Sequence, residues 1–72
     1  MIEELMMLLA DEAEAVKGYK KVLDGVEDEN TKNVLTEIIN DEYNHIGRLT
    51  ALVSVYDREA GEKIAKGIEG EE

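Results

Sequence analysis

Between Ile2 and Val26 the positions recurring at alternating steps of three and four are Ile2, Leu5, Leu9, Glu12, Val16, Tyr19, Leu23 and Val26. Six of these eight are aliphatic, a two-per-heptad stripe that predicts a helix packed lengthwise on others. Glu12 is the one charged residue in the stripe. Gly25 and the polar run from Glu27 to Thr31 interrupt the pattern, with Asp28 or Asn30 available to cap a second helix. That helix is expected from about Thr31 to Tyr56. Its seam reads Leu35, Ile38, Glu42, His45, Leu49, Leu52 and Tyr56, widened by Ile39, Ile46 and Val53. The link is short, so the two helices should run antiparallel.

Residues 1–57 therefore read as an all-α two-helix hairpin, and residues 58–72 as a short third helix or tail with Ile64 and Ile68 one turn apart. The closing Glu69-Gly70-Glu71-Glu72 reads as disordered. Gly18 lowers the propensity of the first helix by roughly 1 kcal/mol relative to Ala, and is expected to mark a close approach by another element.

Composition sharpens this picture. With 72 residues, 43% of them hydrophobic, a single core hardly offsets chain entropy, so oligomerisation or a metal is expected to supplement it. Cys is absent, which excludes disulfides and thiolate metal sites, and the absence of Pro, Trp and Phe favours long helices over sheet. A net charge of −10 argues against nucleic acid or an anionic membrane as the main partner and makes cations the natural ligands. No basic signal-peptide start and no apolar run near the ~20 residues of a membrane span are present, so a cytoplasmic chain is expected.

The candidate chemistry lies in Asp41-Glu42-Tyr43-Asn44-His45, where a Glu and the only His stand one helical turn apart. Alone the spacing is uninformative: with 13 Glu in 72 residues, a Glu three places before a given His arises by chance roughly one time in six. Hairpin arithmetic adds the third group. Glu12 with Glu42 is centred on residue 27, and Glu12 with His45 between Asp28 and Glu29, both inside the expected turn. All three residues then share one level, on the order of 22 Å from the turn at about 1.5 Å per residue.

Inward-facing carboxylates repel and are costly to bury, and a multivalent cation resolves both problems. Imidazole with carboxylate suits iron, manganese or zinc rather than calcium. The plainer reading is a core ion pair of Glu12 with protonated His45, Glu42 reaching solvent. One hairpin offers too few ligands for two metals. A two-fold homodimer doubles the set to four carboxylates and two imidazoles and completes a four-helix bundle, the ligand pattern of di-iron carboxylate proteins.

Glu12-Ala13-Glu14-Ala15-Val16 with Tyr19, then Asp41-Glu42-Tyr43-Asn44-His45 after a short turn, resembles the encapsulated ferritins, half-ferritin members of the ferritin-like superfamily. The resemblance covers about residues 5 to 57. It implies ferroxidase ligands at Glu12, Glu42 and His45, with Glu12 bridging two irons, Tyr19 close behind the ligands, and Asp11 and Glu14 at a metal entrance. It also implies dimers around iron that assemble into a ring such as a decamer, inside an encapsulin nanocompartment.

Read without the resemblance, Tyr19 is a packing residue whose hydroxyl needs a partner, Asp11 and Glu14 belong to a solvated acidic face, and Met6 and Met7 pack at the open end of the bundle. Encapsulated ferritins commonly end in an apolar peptide that docks on the shell, whereas Gly70-Glu71-Glu72 closes this sequence. Enclosure by a shell is therefore left open. The expected function is oxidation of Fe(II) by dioxygen. The alternatives are peroxide reduction or manganese chemistry on the same ligands, or a non-catalytic helical module whose seam polar residues set register.

Overall fold

The computed structural model describes residues 1–69, with side chains through residue 67. Three helices succeed one another, α1 (Ile2–Gly25), α2 (Glu29–Tyr56) and α3 (Arg58–Glu69), and the described residues contain no strand. The chain is thus all-α, with a short third helix appended to the hairpin. At ~1.5 Å per residue the 28 residues of α2 span about 42 Å, which accounts for the longest dimension of the molecule, 43 Å.

The link between α1 and α2 is three residues, Val26 to Asp28. Val26 turns to extended backbone (φ −92°, ψ 135°), which ends α1. Asp28 caps α2: its Oδ2 accepts from the Thr31 amide and from the Thr31 hydroxyl, both at 2.8 Å. These bonds hold the Asp28 carboxyl below its usual range, the hydroxyl bond contributing most. Helix α2 starts two residues before the expected Thr31 because Asp28, rather than Asn30, takes the capping role.

Asp57 separates α2 from α3 and serves both. Its amide donates to the Val53 carbonyl at 2.7 Å, closing α2, and its Oδ1 accepts from the Ala60 amide at 3.1 Å, opening α3. That cap settles the helix-or-tail alternative for residues 58–69, since a single Asp between two helical runs satisfies orphan groups of both. Helix α3 runs one residue into the stretch expected to be disordered. Residues 70–72 lie outside the described residues, and the Ile68 side chain outside the described side chains.

Every member of the α1 seam is buried or half-buried, as the periodicity predicts. On α2 the seam shifts. Ile39, Thr50 and Val53 are buried, whereas Leu52 and Tyr56 are 47% and 56% exposed. The shift has a cause in α3, which covers the side of α2 carrying Thr50, Val53 and Ser54. Leu5, Leu9 and Val53 form the core cluster, with Ile46, Leu49, Ala60 and Ile64 packed against it.

Close approach of α3 to α2 depends on small and self-satisfied groups. The Thr50 hydroxyl donates to the Ile46 carbonyl at 2.7 Å and the Ser54 hydroxyl to the Thr50 carbonyl at 3.1 Å, so both return their polarity to their own helix. Opposite them is Gly61, where a Cβ would collide with the Ser54 hydroxyl and stand 2.8 Å and 2.9 Å from the Ser54 Cβ and Cα. The close approach expected at Gly18 is absent, because a Cβ there meets nothing within 4 Å. The glycine that brings helices together is Gly61. Replacing it by Val should destabilise the fold by about 1–3 kcal/mol and unseat α3. Hydrogen exchange should then show amides of residues 58–67 losing protection while those of α1 and the first half of α2 keep theirs.

Candidate metal centre

Glu12 lies near the middle of α1, and Glu42 and His45 one turn apart on α2. The antiparallel hairpin brings the three to one level. His45 Nδ1 is 3.5 Å from Glu12 Oε2 and 3.8 Å from Glu42 Oε1. One ligand atom from each lies within 4.8 Å of the others, and this is the group among the described residues able to hold a metal ion. Ligands around a single tetrahedral ion with bonds near 2.1 Å stand about 3.4 Å apart, so small side-chain rotations would bring the three into coordination.

The electrostatics are not those of a finished ion pair. Glu12 Oε2 is buried and has no hydrogen-bond partner. Its approach to His45 has an ion-pair distance without hydrogen-bond geometry, so the imidazole does not satisfy it. The carboxyl of Glu42, only 17% exposed, is held above the usual glutamate range. A hydrogen bond shared with Glu12 is the largest cause, then burial and the Glu12 charge; the charge of His45 acts in the opposite direction.

The other expected site residues are not drawn into this cluster. Tyr19 is half-buried on the α1 seam, and its hydroxyl makes no hydrogen bond among the described residues. Asp11 is exposed, and Glu14 is exposed and pairs with Lys17 at 3.7 Å. Met6 and Met7 are likewise exposed on the single chain.

His45 is 50% exposed and opens onto a groove of about 320 Å3 lined by Leu8, Glu12, Arg48, Leu49 and Leu52. Leu8, 49% exposed, and Arg48 belong to this surface although the seam pattern does not mark them. Arg48 stands one turn beyond His45 on the same helix face, a spacing that carries the signal. The groove brings Glu12 and His45 to the surface between three leucines and Arg48.

Comparison with protein-family models, curated proteins and solved structures finds no match to this chain.

The raised Glu42 carboxyl has a consequence for stability. A group that binds its proton more tightly when folded stabilises below its unfolded pKa, and that contribution fades as pH rises through the folded value. Metal-free protein should therefore lose stability through this group as pH rises above the ordinary glutamate value of about 4.3. Glu42→Gln keeps a donor for Glu12 without the charge. Thermal melts in chelator should show the variant flatter with pH and more stable than wild type at the upper end, and unable to gain stability from added divalent metal. Parallel pH curves for the two proteins would contradict the raised Glu42 carboxyl.

Proposed function

We propose that the Glu12–Glu42–His45 cluster is one half of a di-metal ferroxidase centre, completed by a second copy of the chain. The buried, unpartnered Oε2 of Glu12 between a carboxylate and an imidazole is the observation that carries this reading. Carboxylates with imidazole match the donor preferences of iron, and the oxygen donors favour the ferric state over the ferrous.

The dimer is supported by the surface around the cluster. Leu8 and Leu52 are half-exposed beside His45, and Val55 and Tyr56, 76% and 56% exposed, extend the apolar character towards the end of α2. A two-fold partner seated on the groove would bury these side chains and double the ligands, giving the inventory of a four-helix di-iron bundle.

In the proposed reaction Fe(II) is the substrate. Glu12, Glu42 and His45 would supply the donors that hold the iron, and the resemblance implies that Glu12 is the carboxylate shared by two ions. Two Fe(II) release one electron each; dioxygen accepts both with two protons and leaves as hydrogen peroxide. The resemblance to encapsulated ferritins agrees with this chemistry, and a ring of dimers inside an encapsulin shell is the assembly it suggests for storage of the product.

A second reading has its own observation. The 3.5 Å separation of His45 and Glu12 also suits a protonated histidine neutralising a seam carboxylate in a purely structural dimer. The two readings separate cleanly. Aerobic Fe(II) oxidation tracked by absorbance should fall at least about 100-fold in Glu12→Ala and in His45→Ala, more than outer-shell changes usually cost. Native mass spectrometry with metal analysis should find two metals per two chains. Oxidation unchanged in both variants, or dimers that carry no stoichiometric metal and survive chelation, would leave only the structural reading.

A further inference from the structure

Two opposite charges on α2 stand on the stripe that carries His45. Asp41 lies four residues before His45 and Arg48 three after it, the i, i+4, i+7 spacing of one helix face. Both are exposed, and Arg48 lines the groove beside the ligand cluster. The positions three and four residues from Arg48 are Asn44, His45, Ala51 and Leu52, so α2 offers it no carboxylate. His45 is the one basic group so placed for Asp41, and its Nδ1 approaches Glu12 and Glu42 instead. Neither Asp41 nor Arg48 has an ion pair or side-chain hydrogen bond among the described residues, whereas Lys17, Arg58 and Lys63 each meet a glutamate of their own helix.

Opposite charges one heptad apart on a single stripe are complementary to a reversed copy of themselves. Their spacing is about 10.5 Å along the helix. Where α2 meets α2 of a second copy across a two-fold axis perpendicular to both, each residue faces one equally far beyond a common centre. A centre midway between Asn44 and His45 sets Arg48 against Asp41 of the partner subunit and Asp41 against Arg48 of the partner subunit, one contact made twice. That centre is half a residue from His45, so the two imidazoles differ in height by about 1.5 Å. A parallel meeting would set Arg48 beside Arg48 of the partner subunit and Asp41 beside Asp41 of the partner subunit, and is repelled. Leu8 and Leu52, half-exposed in the same groove, supply an apolar centre to which the two charges form a polar rim.

We propose that Asp41 and Arg48 form a symmetric double ion pair between two copies of the chain, which selects the antiparallel α2–α2 contact and fixes the register in which the two Glu-x-x-His turns meet. This rests on the dimer proposed above and adds the groups that orient it; the clamp itself holds no metal. Its effect is on specification more than on tightness. Exposed pairs contribute little attraction, whereas like charges brought together discriminate against wrong partners and wrong registers.

Charge exchange in the full chain tests the clamp. Asp41→Arg and Arg48→Asp each set like charges against each other in a homodimer, and each should weaken self-association at least about tenfold. Mixed together, the two variants restore both contacts. Heterodimer should then exceed the sum of the two homodimers by about tenfold or more in native mass spectra, where random exchange gives equal amounts. The double variant Asp41→Arg/Arg48→Asp should regain self-association to within about threefold of wild type. Both positions are exposed, and circular dichroism should show unchanged helicity in all three variants. Mixing is measured with equimolar Zn(II) and again in chelator. Selective heterodimers that carry zinc support the clamp and the shared metal centre together; selective heterodimers that carry none in either condition support the clamp and remove the metal centre. Random exchange between variants that dimerise like wild type overturns the clamp alone. Wild type that stays monomeric in both conditions overturns clamp and dimer alike. Pairing of Arg48→Asp with Asp11→Arg in preference to Asp41→Arg also overturns the clamp, since it sets α1 of the partner subunit against Arg48.

Discussion

Two carboxylates held side by side set the terms for the rest of this structure. Glu12 and Glu42 stand on the seam between α1 and α2, where the seam is otherwise largely apolar, and the chain has little burial elsewhere with which to offset their repulsion. Among the described residues only Leu5, Leu9, Val16, Ile39 and Val53 are buried hydrophobic residues, and Val53 alone is fully enclosed. A fold this thin holds the pair with the Glu42 carboxyl raised above its usual range by its neighbour. Any cation bound by these two side chains would stabilise the hairpin as it relieved their repulsion.

Much of this is legible in the sequence because helix periodicity is a local property. The α1 seam, the short antiparallel link and the common level of Glu12, Glu42 and His45 come from the 3.6-residue repeat and from a turn that contains its own capping residue. What escapes the sequence depends on a third body. The exposed Leu52 and Tyr56 lie on the face that periodicity assigns to the core, because α3 competes for the other side of α2 and moves the buried face towards Thr50 and Val53. The significance of Gly61 escapes for the same reason. A glycine in a weak helical run reads as a loss of propensity until the partner backbone that needs the space is known.

The candidate site shows the same division. Its three ligands come from two helices whose relative position is fixed by the hairpin, so spacing alone locates them. Arg48 and Leu8 enter only through the groove, a feature of surface shape. Residues given roles by resemblance, Tyr19, Asp11 and Glu14, remain outside the ligand cluster in the single chain. Their proposed roles concern second contacts and metal traffic, which depend on the assembled protein.

The three-residue link lies far from this chemistry. From Glu12 to the end of α1 at Gly25 the helix rises about 20 Å, so the turn between Val26 and Asp28 is remote from the carboxylates whose alignment it permits. That alignment is enforced by two packed faces rather than by the loop, and closure entropy grows only slowly with loop length. The turn is therefore a natural port of attachment: a longer loop, an epitope or an entire domain inserted there would hang from the closed end of the hairpin like a tag on a peg, leaving the ligand level, the exposed leucines and the α3 crossing in register.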